Sequence, residues 1–339
     1  MGLLSALYGL GLKCHKLMYR SFKRPGRLPA KVISVGNLTV GGTGKTPAVM
    51  KIAEEAKRRG FSPCILTRGY RGKAKETCFV SKGEGPLISP SEAGDEAYLM
   101  ADLLKDVSII KGSNRYEAGL LAVRELKDKL RTQGSQLLFI LDDGFQHWGL
   151  YRDIDVLLID ATNPFGKGKL LPEGTLREPL SAIERAHIII ISKADLAGEK
   201  TVIKLTEKIR TLNGVASLFS ASHRPTRLSG ISGEGKNLDY LFDKRIFAFA
   251  GIANPVYFQS SLRSQGAQIV DFRQFRDHHD YKQGDLDRIK KEAIGIDIVT
   301  TEKDMVKLRK LQVPDNLFAL NIEFAIADKF YKDLFGRIK

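Results

Sequence analysis

The segment Thr39-Val40-Gly41-Gly42-Thr43-Gly44-Lys45-Thr46 constrains this chain more than any other. A short apolar run at 32–35 precedes it. A helical pattern follows over about 47–59, with Val49, Ile52, Ala53 and Ala56 on one face and Gly60 as its stop. Small residues between a strand and a helix let backbone N–H groups turn inward around an anion that the helix N-terminus also faces. In such a loop Lys45 reaches the terminal phosphates of a nucleotide and the Thr46 hydroxyl meets Mg²⁺. One position departs from the G-x-x-x-x-G-K-[ST] pattern: Thr39 stands where the first glycine is usual.

Other segments deliver ionisable groups to places where a phosphate loop can use them. The apolar run 137–141 ends in Asp142-Asp143-Gly144-Phe145-Gln146-His147, which puts carboxylates at the carboxyl edge of a sheet. Gly94-Asp95-Glu96 opens a helix, where paired acids serve either as caps and dipole partners or as site residues. Arg68-Gly69-Tyr70-Arg71-Gly72 and Lys111-Gly112-Ser113-Asn114-Arg115 each follow a strand and put cations on the same edge, either as site residues or as solvated loop charge. The turn-rich stretch 171–180, with Arg177 and Glu178, reads as a shaped loop. Asp277-His278-His279-Asp280 is either a proton-handling cluster or a solvated loop. Ser192-Lys193-Ala194-Asp195 and Thr301-Glu302-Lys303-Asp304 both resemble the N-K-x-D element that reads a nucleobase, the first with Ser in place of Asn.

Apolar runs, turn signals and amphipathic helices alternate along all 339 residues, the pattern of α/β folds with parallel strands. Strands are expected at 63–66, 107–110, 156–159 and 188–191, and the stretch 81–94 as loop. A second set has strands at 246–250, 268–272, 296–300 and 317–322, and a helix at 255–264. The expectation is a P-loop NTPase-like domain with a mainly parallel sheet over 31–221, a polar linker at 222–244, and a smaller α/β domain over 245–339.

Fifty-four Lys and Arg against 39 Asp and Glu leave a net charge of +15, which calls for an acidic partner: nucleic acid, an anionic membrane or a phosphorylated substrate. The basic residues are dispersed, without the interleaved aromatics of a nucleic-acid platform. Cys14, Cys64 and Cys78 lack metal-ligand spacing and read as idle thiols of a reducing compartment. At the N-terminus Leu3, Leu4, Leu7, Tyr8, Leu10, Leu12 and Leu17 are joined by Lys13, Lys16, Arg20, Lys23, Arg24 and Arg27. The apolar part falls short of the roughly 20 residues of a spanning helix, and its charges follow it instead of preceding it. Residues 1–30 are therefore expected as a helix lying in a membrane interface, the alternative being a terminal helix packed on the body.

Taken together, G-G-T-G-K-T-P at 41–47, D-D-G-F-Q-H at 142–147, L-R-E-P at 176–179 and D-H-H at 277–279 resemble one family, the lipid A 4′-kinases or tetraacyldisaccharide 4′-kinases. Matching stretches recur in the family's order from 35 to 308. The resemblance implies phosphoryl transfer from ATP, with Mg²⁺, to the 4′-hydroxyl of an acylated glucosamine disaccharide 1-phosphate lipid. It places the protein as a peripheral or monotopic one at the cytosolic face of the inner membrane, on an anionic surface. It implies Asp95 as acid–base group with His278 as partner, Lys45 on the phosphates, and Thr46, Glu96, Gln146 and Asp143 at the metal. Arg68, Arg71, Asn114, Arg115, Arg177 and Glu178 are expected toward the acceptor. Ala97 departs from the family, which often has Pro after Asp-Glu. No nucleic-acid partner and no obligate protein partner is expected. A P-loop switch or metal-delivery NTPase is the competing reading.

Overall fold

The computed structural model describes residues 3–21, 24–70 and 72–338; Arg71, one of the cations expected toward the acceptor, lies outside them. Its strands in chain order are β1 Lys31–Asn37, β2 Phe61–Thr67, β3 Cys78–Ser81, β4 Ser108–Lys111, β5 Gln136–Asp142, β6 Ile154–Asp160 and β7 Ile188–Ser192. They continue as β8 Ser217–Gly230, β9 Gly235–Lys236, β10 Arg245–Ala250, β11 Gln268–Gln274, β12 Asp297–Thr301 and β13 Leu317–Ile326. All belong to one 13-stranded sheet in the order β11-β10-β12-β13-β8-β7-β6-β1-β5-β2-β4-β3, with β9 on β8. Most neighbours are parallel, as the alternation of strand and helix requires; β3–β4, β13–β8 and β8–β9 run antiparallel.

The central strands are mainly apolar because helices cover both faces. Every residue of β6 and β7 is buried. On one face Ile33 and Val35 pack with Val49, Ile52 and Ala53 of the helix Lys45–Arg58. On the other, Val32, Phe139 and Leu141 meet Ala118, Ala122 and Leu126 of the helix Arg115–Gln133. Strand β1 lies between β5 and β6, so the chain leaves it to either side and opens a crevice at its carboxyl end. The Gly-rich loop sits in that crevice.

The stretch 222–244, expected as a polar linker, is largely structured: β8 takes up its first part to Gly230, and β9 and a 3-10 turn at Leu238–Leu241 follow. Strand β8 pairs in parallel with β7 over Ser217–Ser220 and antiparallel with β13 from Ala221 on. A two-stranded ribbon has no need of an apolar face, which is why Ser222, Arg224, Thr226 and Arg227 gave no strand signal. Pro225 is tolerated because the register slips between Asn321 and Ile322 at that point. The two parallel sets of strands are thus parts of one sheet, joined through this ribbon.

The closing helix Asp328–Gly336 also breaks the expected partition. Its Phe330, Leu334 and Phe335 are buried in the core of the first set, where Phe335 stacks on Phe61 at 6.0 Å.

Candidate active site

The phosphate loop is shaped by glycines where only glycine fits. Gly41 and Gly44 have φ of 121° and 86°, and Gly44 leads into the helix Lys45–Arg58 without a side-chain cap. The first-turn amides of that helix are therefore left for an incoming anion. Thr39 needs no left-handed backbone: it forms a β-bridge with Leu176, and the next amide, of Val40, donates to the Thr175 carbonyl at 2.8 Å. That explains the departure from glycine at the first position of the motif. Lys45 donates to Asn37 Oδ1 at 3.1 Å and lies 3.5 Å from an Asp143 oxygen. The Thr43 hydroxyl is buried without a hydrogen-bond partner among the described residues.

Strand β5 brings Asp142 to the same edge. Burial first, then the charges of Glu96 and Asp143, push its carboxyl up to about 6, although the Thr67 hydroxyl donates to it at 2.9 Å. Asp143 follows in left-handed backbone (φ 51°) and is gripped by both oxygens, 3.0 and 2.8 Å, from Arg177. Burial alone would raise it; Lys45 and Arg177 hold it below the usual carboxylate range. Gln146 donates to the Asn37 carbonyl at 2.9 Å and to Glu178 at 3.2 Å, leaving its own oxygen buried without a partner among the described residues.

A second cluster forms where Asp95, at the start of the helix Asp95–Leu103, meets the loop after β11. His278 Nδ1 lies 3.0 Å from Asp95 Oδ2. Lys303 lies 3.2 Å from His278 Nε2, and an ammonium has only protons to offer. Nε2 is therefore the acceptor, and Nδ1 carries the proton toward Asp95. Lys307, 5% exposed, pairs with the same Asp95 oxygen at 3.2 Å. Burial would raise the Asp95 carboxyl, but the hydrogen bond with His278 and the charge of Lys307 bring it below the ordinary range. Lys303 also reaches Glu96 at 3.3 Å, and Tyr70 meets the His278 ring edge-on at 5.6 Å.

The T-E-K-D segment thus supplies this cluster instead of a base-reading loop. Asp304, wholly buried, accepts from the Gly251 amide at 2.9 Å and so anchors the helix Glu302–Leu308 that carries Lys303 and Lys307. In the sequence Lys303 stood out only as the lysine of an N-K-x-D-like segment and Lys307 not at all, although their spacing of four on a short helix puts both on one face.

The expected acceptor-side residues divide. Arg68 is exposed and Arg115 is 5% exposed, with its Nε buried and unpartnered among the described residues. Burial, together with Arg115, Arg152 and Arg68, pushes nearby His147 down to about 4. Asn114 caps the helix Arg115–Gln133, accepting from the amides of Tyr116 and Glu117. Glu178, 1% exposed, is engaged by Arg185 at 2.8 Å, Lys16 at 2.9 Å and Gln146, so it braces the loop 171–180 internally.

The N-terminal helix Leu3–Ser21 docks on that loop: Ser5 donates to the Leu170 carbonyl at 3.0 Å and Tyr8 to that of Arg177 at 3.1 Å. Its other side leaves Leu4, Leu7, Leu10 and Leu17 between 56% and 63% exposed. One face is packed on the body and the other is an apolar strip beside the site. Among the described residues no helix is long and apolar enough to cross a membrane.

Known proteins resemble this chain along its length. The profile of the family Tetraacyldisaccharide-1-P 4'-kinase (LpxK) matches residues 1–339. A tetraacyldisaccharide 4'-kinase of Syntrophus aciditrophicus is 41% identical over 91% of this chain and 83% of its own. One of Halothermothrix orenii is 36% identical over 96% and 88%. A crystal structure of LpxK from Aquifex aeolicus in complex with ATP superposes with a TM-score of 0.78 at 33% identity, covering 99% of this chain and 98% of that one. With a phosphate loop, paired carboxylates and an Asp–His pair on one sheet edge, and with matches spanning its full length, this chain belongs to the tetraacyldisaccharide-1-phosphate 4′-kinase family.

Proposed function

We propose that the protein transfers the γ-phosphoryl group of ATP to the 4′-hydroxyl of a tetraacylated glucosamine disaccharide 1-phosphate, working at the cytosolic face of the inner membrane. The observation that carries the reading is the Asp95–His278 pair, 3.0 Å apart, on the sheet edge that also holds Lys45. A sugar hydroxyl is a poor nucleophile, so in-line transfer needs a carboxylate in reach of its proton. Asp95 takes that proton. His278 orients the carboxylate, and Lys307 keeps it ionised. Lys45 leaves Asn37 and Asp143 to neutralise the transferring phosphoryl group.

Magnesium fits the residues present. The buried, partnerless oxygen of Gln146 and the carboxyl of Asp142, crowded by Glu96 and Asp143, are hard donors short of a cation. Among the described residues no three acidic, His or Cys groups gather into a closed cage, in keeping with a metal held largely by phosphate oxygens. Thr46, Asp143, Glu96 and Gln146 would hold it, and the bound ion would offset charge on the β- and γ-phosphates. Arg68 and Arg115 face the acidic acceptor, and the exposed leucines of the N-terminal helix enter an anionic bilayer beside it. The two sets of strands close over the nucleotide about the β8–β13 ribbon.

Purified protein with labelled ATP, Mg²⁺ and the disaccharide 1-phosphate lipid in detergent should yield a labelled lipid bisphosphate. ATP hydrolysis indifferent to the lipid, with no label transferred, would overturn the kinase reading.

A further inference from the structure

The Ser192-Lys193-Ala194-Asp195 segment resembles a base reader in sequence, but its first two side chains turn toward the phosphate loop. Lys193, 3% exposed and in left-handed backbone (φ 54°), donates from its ammonium to the Gly42 carbonyl at 2.8 Å. The same ammonium pairs with Asp160 at the end of β6. Ser192, wholly buried, donates from its hydroxyl to the Thr43 carbonyl at 2.8 Å. Asp195 is exposed.

Peptide planarity gives these two bonds their meaning. In a trans peptide the C=O and the following N–H point in opposite directions. Drawing the Thr43 carbonyl toward Ser192 turns the Gly44 N–H the other way. Drawing the Gly42 carbonyl toward Lys193 fixes the neighbouring peptide, whose Thr43 N–H donates to the Gly41 carbonyl at 3.1 Å and so holds the turn of the loop. Were either peptide to flip, a carbonyl dipole would meet the phosphate oxygens and an N–H donor would be lost. His223 closes the space beside the Gly44 Cα, where a Cβ would lie 2.4 Å from its Nε2, so no side chain could take this place in the loop.

We propose that Ser192 and Lys193 are positioning residues for the phosphate loop: they hold its outward carbonyls so that its amides are oriented for a polyphosphate before one binds. This rests on reading residues 39–46 as the nucleotide's phosphate loop. It assigns the segment a task in phosphate affinity and none in base selection.

The test compares MgATP and AMP binding by calorimetry on the full chain in detergent. The wild type should prefer ATP strongly. Ser192→Ala should weaken ATP about tenfold, the loss of roughly one hydrogen bond, with AMP affinity unchanged. Lys193→Met should weaken ATP more, again sparing AMP. If stranding the Asp160 carboxylate unfolds that variant, Lys193→Met with Asp160→Asn removes the unpaired charge and repeats the measurement. A wild-type ratio of ATP to AMP affinity in these variants, or an equal loss for both nucleotides, overturns the proposal. No ATP preference in the wild type would overturn the phosphate-loop reading beneath it.

Discussion

His278 and Asp95 stand 183 positions apart in sequence and 3.0 Å apart in space, joined across the two parallel sets of strands. Lys303 on Nε2 fixes the imidazole tautomer, and Lys307 shares the Asp95 oxygen that His278 touches. Such a pair acts as a unit. Asp95→Ala and His278→Ala should each lower kcat by about 10²–10⁴ with ATP affinity near normal. The double variant should be little worse than the more damaged single one. Losses that multiply independently would show that His278 serves phosphate or substrate instead.

Lys45→Ala should reduce turnover by about 10³ or more, since the remaining loop amides cannot replace an ammonium on the phosphoryl group. Its partner Asp143 keeps two bonds from Arg177, so no carboxylate is stranded. Thermal unfolding should shift by little. Near-normal kinase activity in this variant would remove Lys45 from the chemistry.

Much of the fold was legible because its strands are buried on both faces. β5, β6 and β7 announce themselves as runs of Leu, Ile and Val, and the helix Pro255–Ser264 begins at a proline after an Asn cap. β8 was illegible for the opposite reason: its second half forms a ribbon of Ser, His, Arg and Pro, where backbone pairing does not depend on an apolar face. The stretch 81–94 hid a single helical turn, Pro90–Ala93, with a Ser89–Glu92 capping box. In the site, the phosphate loop could be read from its spacing, whereas Asp95 and Glu96 stayed open between caps and site residues until the family resemblance was taken in. Lys193 and Lys303 showed only as the lysines of N-K-x-D-like segments, and Lys307 not at all, because which cation turns toward a site is set by the fold and not by its neighbours in sequence.

The outward face of the N-terminal helix should bind anionic vesicles. Deleting the whole helix would also remove Lys16 from Glu178 and Tyr8 from the Arg177 carbonyl, disturbing the site loop. Leu7→Glu with Leu10→Glu touches only the exposed strip. This variant should sediment poorly with anionic vesicles, while its ATP affinity and its turnover in detergent stay within about twofold of wild type. High salt should weaken wild-type attachment only in part, because apolar burial persists when charges are screened. Unchanged sedimentation of the double variant would assign the strip some other task.

Acid should destabilise the protein through two histidines, the buried His223 and the half-buried His147. Burial, reinforced by Lys193, pushes His223 down to about 4, against a weaker pull from Asp160, and His147 is held equally low. A histidine depressed in the fold stabilises it fully above its unfolded value near 6.5. That contribution is lost as pH falls from about 6.5 toward 4, and for His223 it amounts to at most about 3 kcal/mol. Asp142, raised to about 6, works in the opposite sense, its penalty relaxing as pH falls through the same window. Urea midpoints should therefore drop between pH 6.5 and 4.5, and His223→Gln should flatten that drop by up to one proton's worth. An unaltered slope would mean His223 titrates alike folded and unfolded.

The glycines of the phosphate loop should differ sharply in what they tolerate. A Cβ at Gly42 would meet Ala253 at 3.7 Å, an ordinary contact, and its backbone is not left-handed. At Gly41 a Cβ has open space, but φ of 121° is a conformation that L-residues avoid. Gly44 combines a φ of 86° with a Cβ placed 2.4 Å from His223 Nε2. That obstacle cannot swing away. His223 is 6% exposed, and its ring packs edge-on against Tyr257 at 6.0 Å and Phe324 at 5.5 Å. The loop must move instead, and the first-turn amides and Lys45 move with it. MgATP affinity should therefore fall in the order Gly44→Ala, then Gly41→Ala, then Gly42→Ala, the last within about threefold of wild type. Adding His223→Ala to Gly44→Ala should recover part of the loss, because it restores the space but not the backbone preference. Equal losses at all three positions would mean that the nucleotide, not His223, sets what this loop can accept.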